Sequence, residues 1–286
     1  MAGQSGRRYH GPTVTVATVA VVAVVGTLAG AVGSMLGLGG GVFLVPFLVI
    51  GLGLPFQSAA GISLMTVIAT SSTVSAQSAG QGLFNVRLGL VLEIATTLGG
   101  LAGGMTAAHL SQPVLSGLFA MVTALVAMVT IARLDRRNVI HDAGSDLGRL
   151  GARIHDSDTG REVGYRVRRL PVALLISFAA GNVSGLLGIG GGILKVPALN
   201  AWCGVPMRAA AATSALMIGV TAVSTAPIYY ARGDVDPALA AAAVLGVLGG
   251  SRAGMWATHQ LRVRTLKIMM ATVLIGVTLL MIGRAL

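Results

Sequence analysis

Apolar residues along this chain come in long blocks, not in strict alternation with polar ones. The first block covers residues 13–54. Three more follow at 58–80, 88–109 and 113–132, and then a polar segment at 133–170. The plan then repeats, with blocks at 171–203, 208–230, 237–258 and 265–283. About 20 consecutive apolar residues cross a bilayer as a helix, so the pattern predicts an all-α polytopic membrane protein. It divides into a first transmembrane repeat (1–132), a polar linker (133–170) and a second transmembrane repeat (171–286).

The first block of each half is interrupted in the same way. Gly37-Leu38-Gly39-Gly40-Gly41 is followed by Val45-Pro46, and Gly188-Ile189-Gly190-Gly191-Gly192 by Val196-Pro197, each position 151 residues after its counterpart. Four glycines in five residues are a poor helix interior, and the proline adds a second irregularity. The offset holds without a gap at Gly53/Gly204, Pro55/Pro206, Ser63/Ser214, Thr70/Thr221, Gly82/Gly233, Gly99/Gly250 and Gly103/Gly254. The halves are thus copies of one unit, and transporters built from two repeats hold substrate at the repeat interface near the midplane.

Topology turns on the broken blocks. The second has 33 residues, and removing its glycines leaves two arms that are each shorter than a comfortable crossing. If the pair is a re-entrant hairpin, each repeat crosses three times and the two repeats are inverted. If it is one broken crossing, each repeat crosses four times and the halves are parallel. With the linker in the cytoplasm, either arrangement puts fourteen lysines and arginines inside and four outside, so the positive-inside rule does not decide. Inversion is favoured by the short second block and by the local cluster Arg262, Arg264 and Lys267. Each repeat then carries a glycine-broken helix pair plus three transmembrane helices.

Composition narrows the classes. Of the 286 residues only 10% are charged and 54% are hydrophobic, against about a quarter charged in soluble domains. The net charge of +11 invites a nucleic-acid reading, but the basic residues concentrate in loops between apolar blocks, nine arginines in the linker alone, so no nucleic-acid partner is expected. Arg7 and Arg8 precede an apolar run too long for a signal peptide's core, which is read as retained. The lone Cys203 excludes an intrachain disulfide framework, and the five scattered histidines point to no metal site. His109 and His259 fall near helix ends, as interfacial residues do. In the linker, residues 152–155 and 163–167 flank an Asp- and Gly-containing turn at 156–160, a small hairpin pattern.

Few residues can carry chemistry. Lys195 and Arg252 are cations within apolar blocks, where the first repeat has Leu44 and Leu101, and an intramembrane charge is a functional candidate. Glu93, opposite Val244 in the repeat, is the acid well inside a block. It is a candidate counter-ion for Arg252 or Lys195, or a proton carrier for coupling. The stretch 66–78 and its counterpart hold many hydroxyls, which usually bond their own backbone or a neighbouring helix; Ser63 and Ser214 recur in both repeats. Irregular backbone at membrane depth persists where it lines a cavity, and free amides with a helix N-terminus attract anions. Gly39, Gly40, Gly41, Pro46, Gly190, Gly191, Gly192 and Pro197 therefore join Lys195, Arg252, Ser63 and Ser214 as candidate substrate contacts. The run from Gly188 to Lys195 is no P-loop, because its spacing is wrong and no Ser or Thr follows the lysine. No nucleophile, acid pair, cofactor motif or ATP-binding signature stands out, so an enzyme is not expected and a primary pump would need a partner subunit.

The doubled Leu-Gly-(Leu/Ile)-Gly-Gly-Gly…Val-Pro, each opening a half of four hydrophobic segments, resembles the sulfite exporter TauE/SafE family of membrane transporters. The resemblance implies secondary transport of a small sulfur-containing anion, of sulfite or organosulfonate type, across the bacterial inner membrane, with export the usual direction. The family motif falls on Gly37, Gly39, Gly40, Gly41 and Pro46 and on Gly188, Gly190, Gly191, Gly192 and Pro197, and it requires neither Lys195 nor Arg252. A passive anion channel of the same fold, or a carrier of a non-sulfur organic anion, is the alternative. Candidate partners are the small anion, the lipid bilayer, a coupling proton or sodium ion and a second copy of the chain.

Overall fold

The computed structural model describes residues 15–37, 39–79, 84–132, 150–156, 161–258 and 263–285. Leu38, Gly82, His259, Arg262, Arg7, Arg8, Arg133, Arg136, Arg137, Arg149 and the hairpin turn at 157–160 lie outside the described residues. In chain order come α1 (Val16–Leu36), α2 (Gly41–Pro46) running into a π-helical turn (Phe47–Gly51), α3 (Phe56–Ser78), α4 (Val86–Thr106) with a 3-10 turn (Ala107–His109), and α5 (Gln112–Ala132). Strands β1 (Ala152–Asp156) and β2 (Arg161–Tyr165) pair antiparallel, Ile154 opposite Val163. Then follow α6 (Leu170–Leu187), α7 (Gly192–Trp202), α8 (Met207–Ala231), α9 (Pro237–Thr258) and α10 (Val263–Ala285).

Among the described residues seven helices are long and apolar enough to cross a membrane, and Gly41–Gly51 and Ile268–Gly283 are shorter apolar helices. One expectation is corrected here. The two arms around the second glycine run are not both short: α6 has 18 residues, enough to span, while α7 has 11, and in the first half α1 has 21. The first arm is longer because both helices continue to the glycine, where a left-handed Gly37 (φ 66°) or Gly188 (φ 69°) ends them.

Polarity runs opposite to that of a soluble protein. Val21, Val24 and Leu28 on α1 and Leu90, Ile94 and Leu98 on α4 are exposed, whereas Ser63, Thr66, Thr70, Thr213, Ser214, Thr221 and Thr225 are buried. Spacing of three or four residues puts each apolar set on one helix face, suited to lipid. Most hydroxyls bond backbone one turn earlier in their own helix, as Thr70 does to Thr66 O at 2.9 Å and Thr225 to Thr221 O at 2.9 Å.

Glycine stripes set the long contacts. Gly246, Gly250 and Gly254 of α9 lie against Ala23, Thr27 and Ala31 of α1, and Gly99 and Gly103 of α4 against Phe178 and Asn182 of α6. A methyl group at any of these would meet backbone, so close approach is what the glycines permit. Both pairs run parallel: rising numbers on one helix meet rising numbers on the other. Helices α3 and α8, counterparts in the repeat, run antiparallel, since Gly61 faces Tyr229 while Ser71 donates to Ala215 O.

The linker packs against both halves. Asn85 caps α4 by accepting from Leu88 N (3.0 Å). Its amide nitrogen donates to Leu150 O (2.7 Å) and the Tyr165 hydroxyl (3.1 Å), and its backbone N–H donates to Thr213 Oγ1 (3.0 Å). Arg168 N–H donates to Cys203 O at 3.0 Å, beside the connection from α7 to α8.

Candidate functional site

The two glycine runs meet at the middle of α3. The Cβ positions of Gly39 and Gly190 lie 3.4 and 3.0 Å from Val67 side-chain carbons, and that of Gly190 lies 2.9 Å from Ile218 on α8. Gly37 abuts Ala211 and Gly188 abuts Ala60, two contacts that exchange under the repeat offset. A side chain on Gly41 would collide with Ser63 Oγ and Gly188 O. Positive φ at Gly39 (69°), Gly190 (77°) and Gly191 (57°) makes the turns, a conformation L residues with a Cβ rarely hold. Each turn folds back on the helix before it: Gly33 packs on Gly40, and Gly191 on Ala180 and Ser184.

Backbone donors remain at these turns. Gly188 N–H bonds Ser184 O and Gly192 N–H bonds Gly190 O, while among the described residues no acceptor takes the amides of Gly190 and Gly191. The expectation that a helix N-terminus follows each glycine run holds unevenly. Helix α7 is 11 residues long, but α2 has only six before the backbone widens into a π turn. So short a helix aligns too few peptide dipoles to present much charge. Pro46 and Pro197 sit inside α2 and α7, where each removes one amide from the hydrogen-bond ladder.

Lys195 stands in the first turn of α7, its backbone amide bonded to Gly191 O at 3.1 Å. Its side chain is 1% exposed, and Nζ has no hydrogen-bond partner. Glu93 reaches it from α4, with Oε2 at 4.0 Å. That is beyond hydrogen-bond range, and Oε2 is likewise unpartnered. The other oxygen, Oε1, accepts from Thr221 (2.8 Å) and from Thr97 (3.0 Å). The carboxylate is therefore fixed on one side and open on the other. Of the two cations expected as partners for Glu93, Lys195 is the one that lies beside it.

Arg252 is not brought to the glycine turns. It is exposed, because the α9 face bearing Gly246, Gly250 and Gly254 is the one packed on α1, and two residues past Gly250 is the far side of the helix. The recurrent serines part company as well. Ser63 donates to Gly188 O at 2.6 Å and so serves the second turn's backbone, whereas buried Ser214 Oγ has no partner. The reading of 133–170 as a linker did not anticipate its contacts with Asn85 and Cys203.

Three contributors were not singled out from sequence. Thr97 lies four residues after Glu93, a helical neighbour that spacing could have found. Ser184 is buried beside Gly191 with an unpartnered Oγ, and Tyr229 donates to Gly185 O at 2.6 Å. A groove of about 440 Å³ between α5 and α10, lined by Ala124, Met128, Ile275, Thr278 and Leu279, offers no charge, and its one hydroxyl already bonds Thr123 and Leu274 O.

Comparison with known proteins bears on this arrangement directly. Residues 22–281 match the family "Sulfite exporter TauE/SafE". A Bacillus subtilis (strain 168) protein described as "Probable membrane transporter protein YunE" is 27% identical over 257 residues, covering 87% of this chain and 92% of the relative. No solved structure matches. The matched region takes in both glycine runs and the Lys195–Glu93 contact, and the chain belongs to the sulfite exporter TauE/SafE family of membrane transporters.

Proposed function

We propose that the protein is a secondary transporter that exports a small sulfur-containing anion, of sulfite or organosulfonate type, across a bacterial inner membrane. The substrate sits between the two glycine turns and is reached from alternate sides as the halves rock. The observation that carries this reading is Lys195: a cation 1% exposed, beside the second turn, with three N–H donors and no hydrogen bond. A buried cation without full hydrogen bonding is costly, and an anion's oxygens supply what is missing. Free amides at Gly190 and Gly191 and the Ser214 hydroxyl add neutral donors suited to an oxyanion.

Inverted repeats with re-entrant glycine turns fit the packing. Counterparts α3 and α8 run antiparallel, which inversion requires and parallel halves forbid. The linker touches both the start of α4, through Asn85, and the connection from α7 to α8, through Cys203. Those points share a membrane side only when the halves are inverted. With the linker in the cytoplasm, a C-terminal reporter fusion reads outside; a cytoplasmic reading removes inversion.

The functional test is flux in proteoliposomes with sulfite, sulfoacetate, sulfate and acetate as the first panel. Sulfite moving faster than acetate supports the reading, and acetate alone moving reassigns the substrate. Uptake that never runs against a gradient, whatever ion gradient drives it, makes the protein a passive channel.

A further inference from the structure

The contact between Glu93 and Lys195 joins the two halves, since α4 belongs to the first and α7 to the second. Its hydrogen-bond inventory is lopsided. Thr97 donates to Oε1, and Thr221 shares its one hydroxyl proton between Oε1 and Met217 O, so the hydroxyls all lie on the Oε1 side. Oε2 and Nζ face each other at 4.0 Å with no hydrogen bond of their own. A pair built only for stability would close to bonding distance; this one leaves an acceptor and three donors unused.

An anion taking the Lys195 donors comes to lie within a few ångströms of Oε2. Like charges that close in a low-dielectric interior are not both tolerated. The open oxygen is where a proton relieves the conflict. Arg87, on α4 itself, is exposed and stands six residues before Glu93, about 9 Å along the helix, so no other described charge is at hand to do so. Helix α6, packed on α4 and α7, carries no titratable residue, and neither do α3 and α5. On α8 the buried titratable side chain is Tyr229, whose hydroxyl is committed to Gly185 O. Arg208 stands 13 residues before Thr221 on α8, about 20 Å along the helix. His109 closes the far end of α4, 16 residues from Glu93.

Resting on the transporter reading above, we infer that anion binding at Lys195 is coupled to proton binding at Glu93 Oε2, so that one monoanion and one proton cross together without net charge, outward when the anion's own gradient exceeds the opposing proton gradient. The balance is simple. The empty site holds one positive and one negative group and sums to zero. In the loaded site Lys195 keeps its proton, a proton from the aqueous side forms an O–H bond at Oε2, and the anion brings one negative charge, so the sum is again zero. Both states cross the membrane interior neutral. A dianion leaves the loaded site at minus one, so the favoured substrate class is the monoanion: a sulfonate or hydrogensulfite over sulfate or a disulfonate.

The test uses the full chain in proteoliposomes with a trapped pH dye and methanesulfonate, a monoanion that carries no proton of its own near neutral pH. An inward methanesulfonate gradient acidifies the lumen, one proton per anion, with no dependence on a potassium–valinomycin potential. In Glu93→Gln, acidification per anion moved falls at least ~10-fold, and Glu93→Asp recovers part of the ratio, a pattern that loss of packing would not give. Methanesulfonate entry without acidification, or entry that carries current, overturns the coupling and leaves the anion-transport reading standing. No movement of any anion in the panel sinks that reading and the coupling with it. If Glu93→Gln does not insert, the wild-type proton-to-anion ratio decides by itself.

Discussion

The two glycine elements begin alike and finish differently. After the second run, α7 continues as a helix through Trp202 and points a lysine inward at its fourth residue. After the first, α2 gives way at Pro46 to a π turn, and the matching position is Leu44, fully buried. The asymmetry reaches the partners too. Ser63 spends its hydroxyl on the backbone of the second turn, while Ser214 keeps its own free, and Glu93 answers Lys195 where the other half has Val244. The two halves thus differ at matching positions: the cation stands in the second, and the carboxylate beside it in the first.

The largest test of that division is to move the charge. Lys195→Leu lowers anion flux by on the order of 100-fold or more while the protein still inserts, since the proposed site loses its buried cation. Leu44→Lys added to it does not restore transport, because Val244 provides no carboxylate on that side. Recovery in the double variant would make the halves interchangeable.

Next is the backbone. Gly190→Ala puts a Cβ at φ 77° within 3.0 Å of both Ile218 and Val67, costing about 2–4 kcal/mol in left-handed strain and overpacking. Gly276→Ala on α10, where a methyl group meets nothing within 4 Å, changes thermal stability in detergent by less than about 0.5 kcal/mol.

A finer comparison uses the serine pair. Ser63→Ala strands Gly188 O and lowers stability by about 1–3 kcal/mol. Ser214→Ala breaks no bond, so its melting temperature stays near wild type while the apparent KM for the transported anion rises. Equal effects at both serines would erase the distinction drawn between the halves.

The smallest effect expected is at the linker. Burial lifts the Tyr165 phenol above its ordinary value of 10.0, with the Asn85 hydrogen bond pulling the other way. Below pH 10 the phenol is neutral whether folded or unfolded and contributes no pH dependence. As pH rises past 10 the unfolded phenol ionises first, so stability is lost with increasing pH. Tyr165→Phe removes that alkaline loss, measured as melting temperature against pH.

Much of this was legible in the sequence. Helices over 58–80, 113–132 and 237–258 were expected and appear as α3, α5 and α9 within two residues at each end, because long apolar runs between proline and glycine leave a membrane chain little choice. The hairpin followed from alternation, though its second strand lies at Arg161–Tyr165 and not at 163–167. The close packing of Gly99 and Gly103 followed from the need of helices in lipid for small contacts. Even the outward position of Arg252 could have been read, since Gly246, Gly250 and Gly254 mark the packed face of α9 and Arg252 falls on the other. Length arithmetic failed at α6, where a helix can use its terminal glycine as a cap and so keep every residue before it.

By itself, then, the sequence determined the helical membrane architecture, the doubled glycine break and the short list of intramembrane charges, all properties of local composition and spacing. Only the tertiary structure decided which charges count. Lys195 meets Glu93 because α4 and α7, in different halves and far apart in sequence, both pack against α8. Whether a buried charge finds a partner, and whether that partner is filled or left open, depends on distances across helices, which no periodicity along one helix encodes.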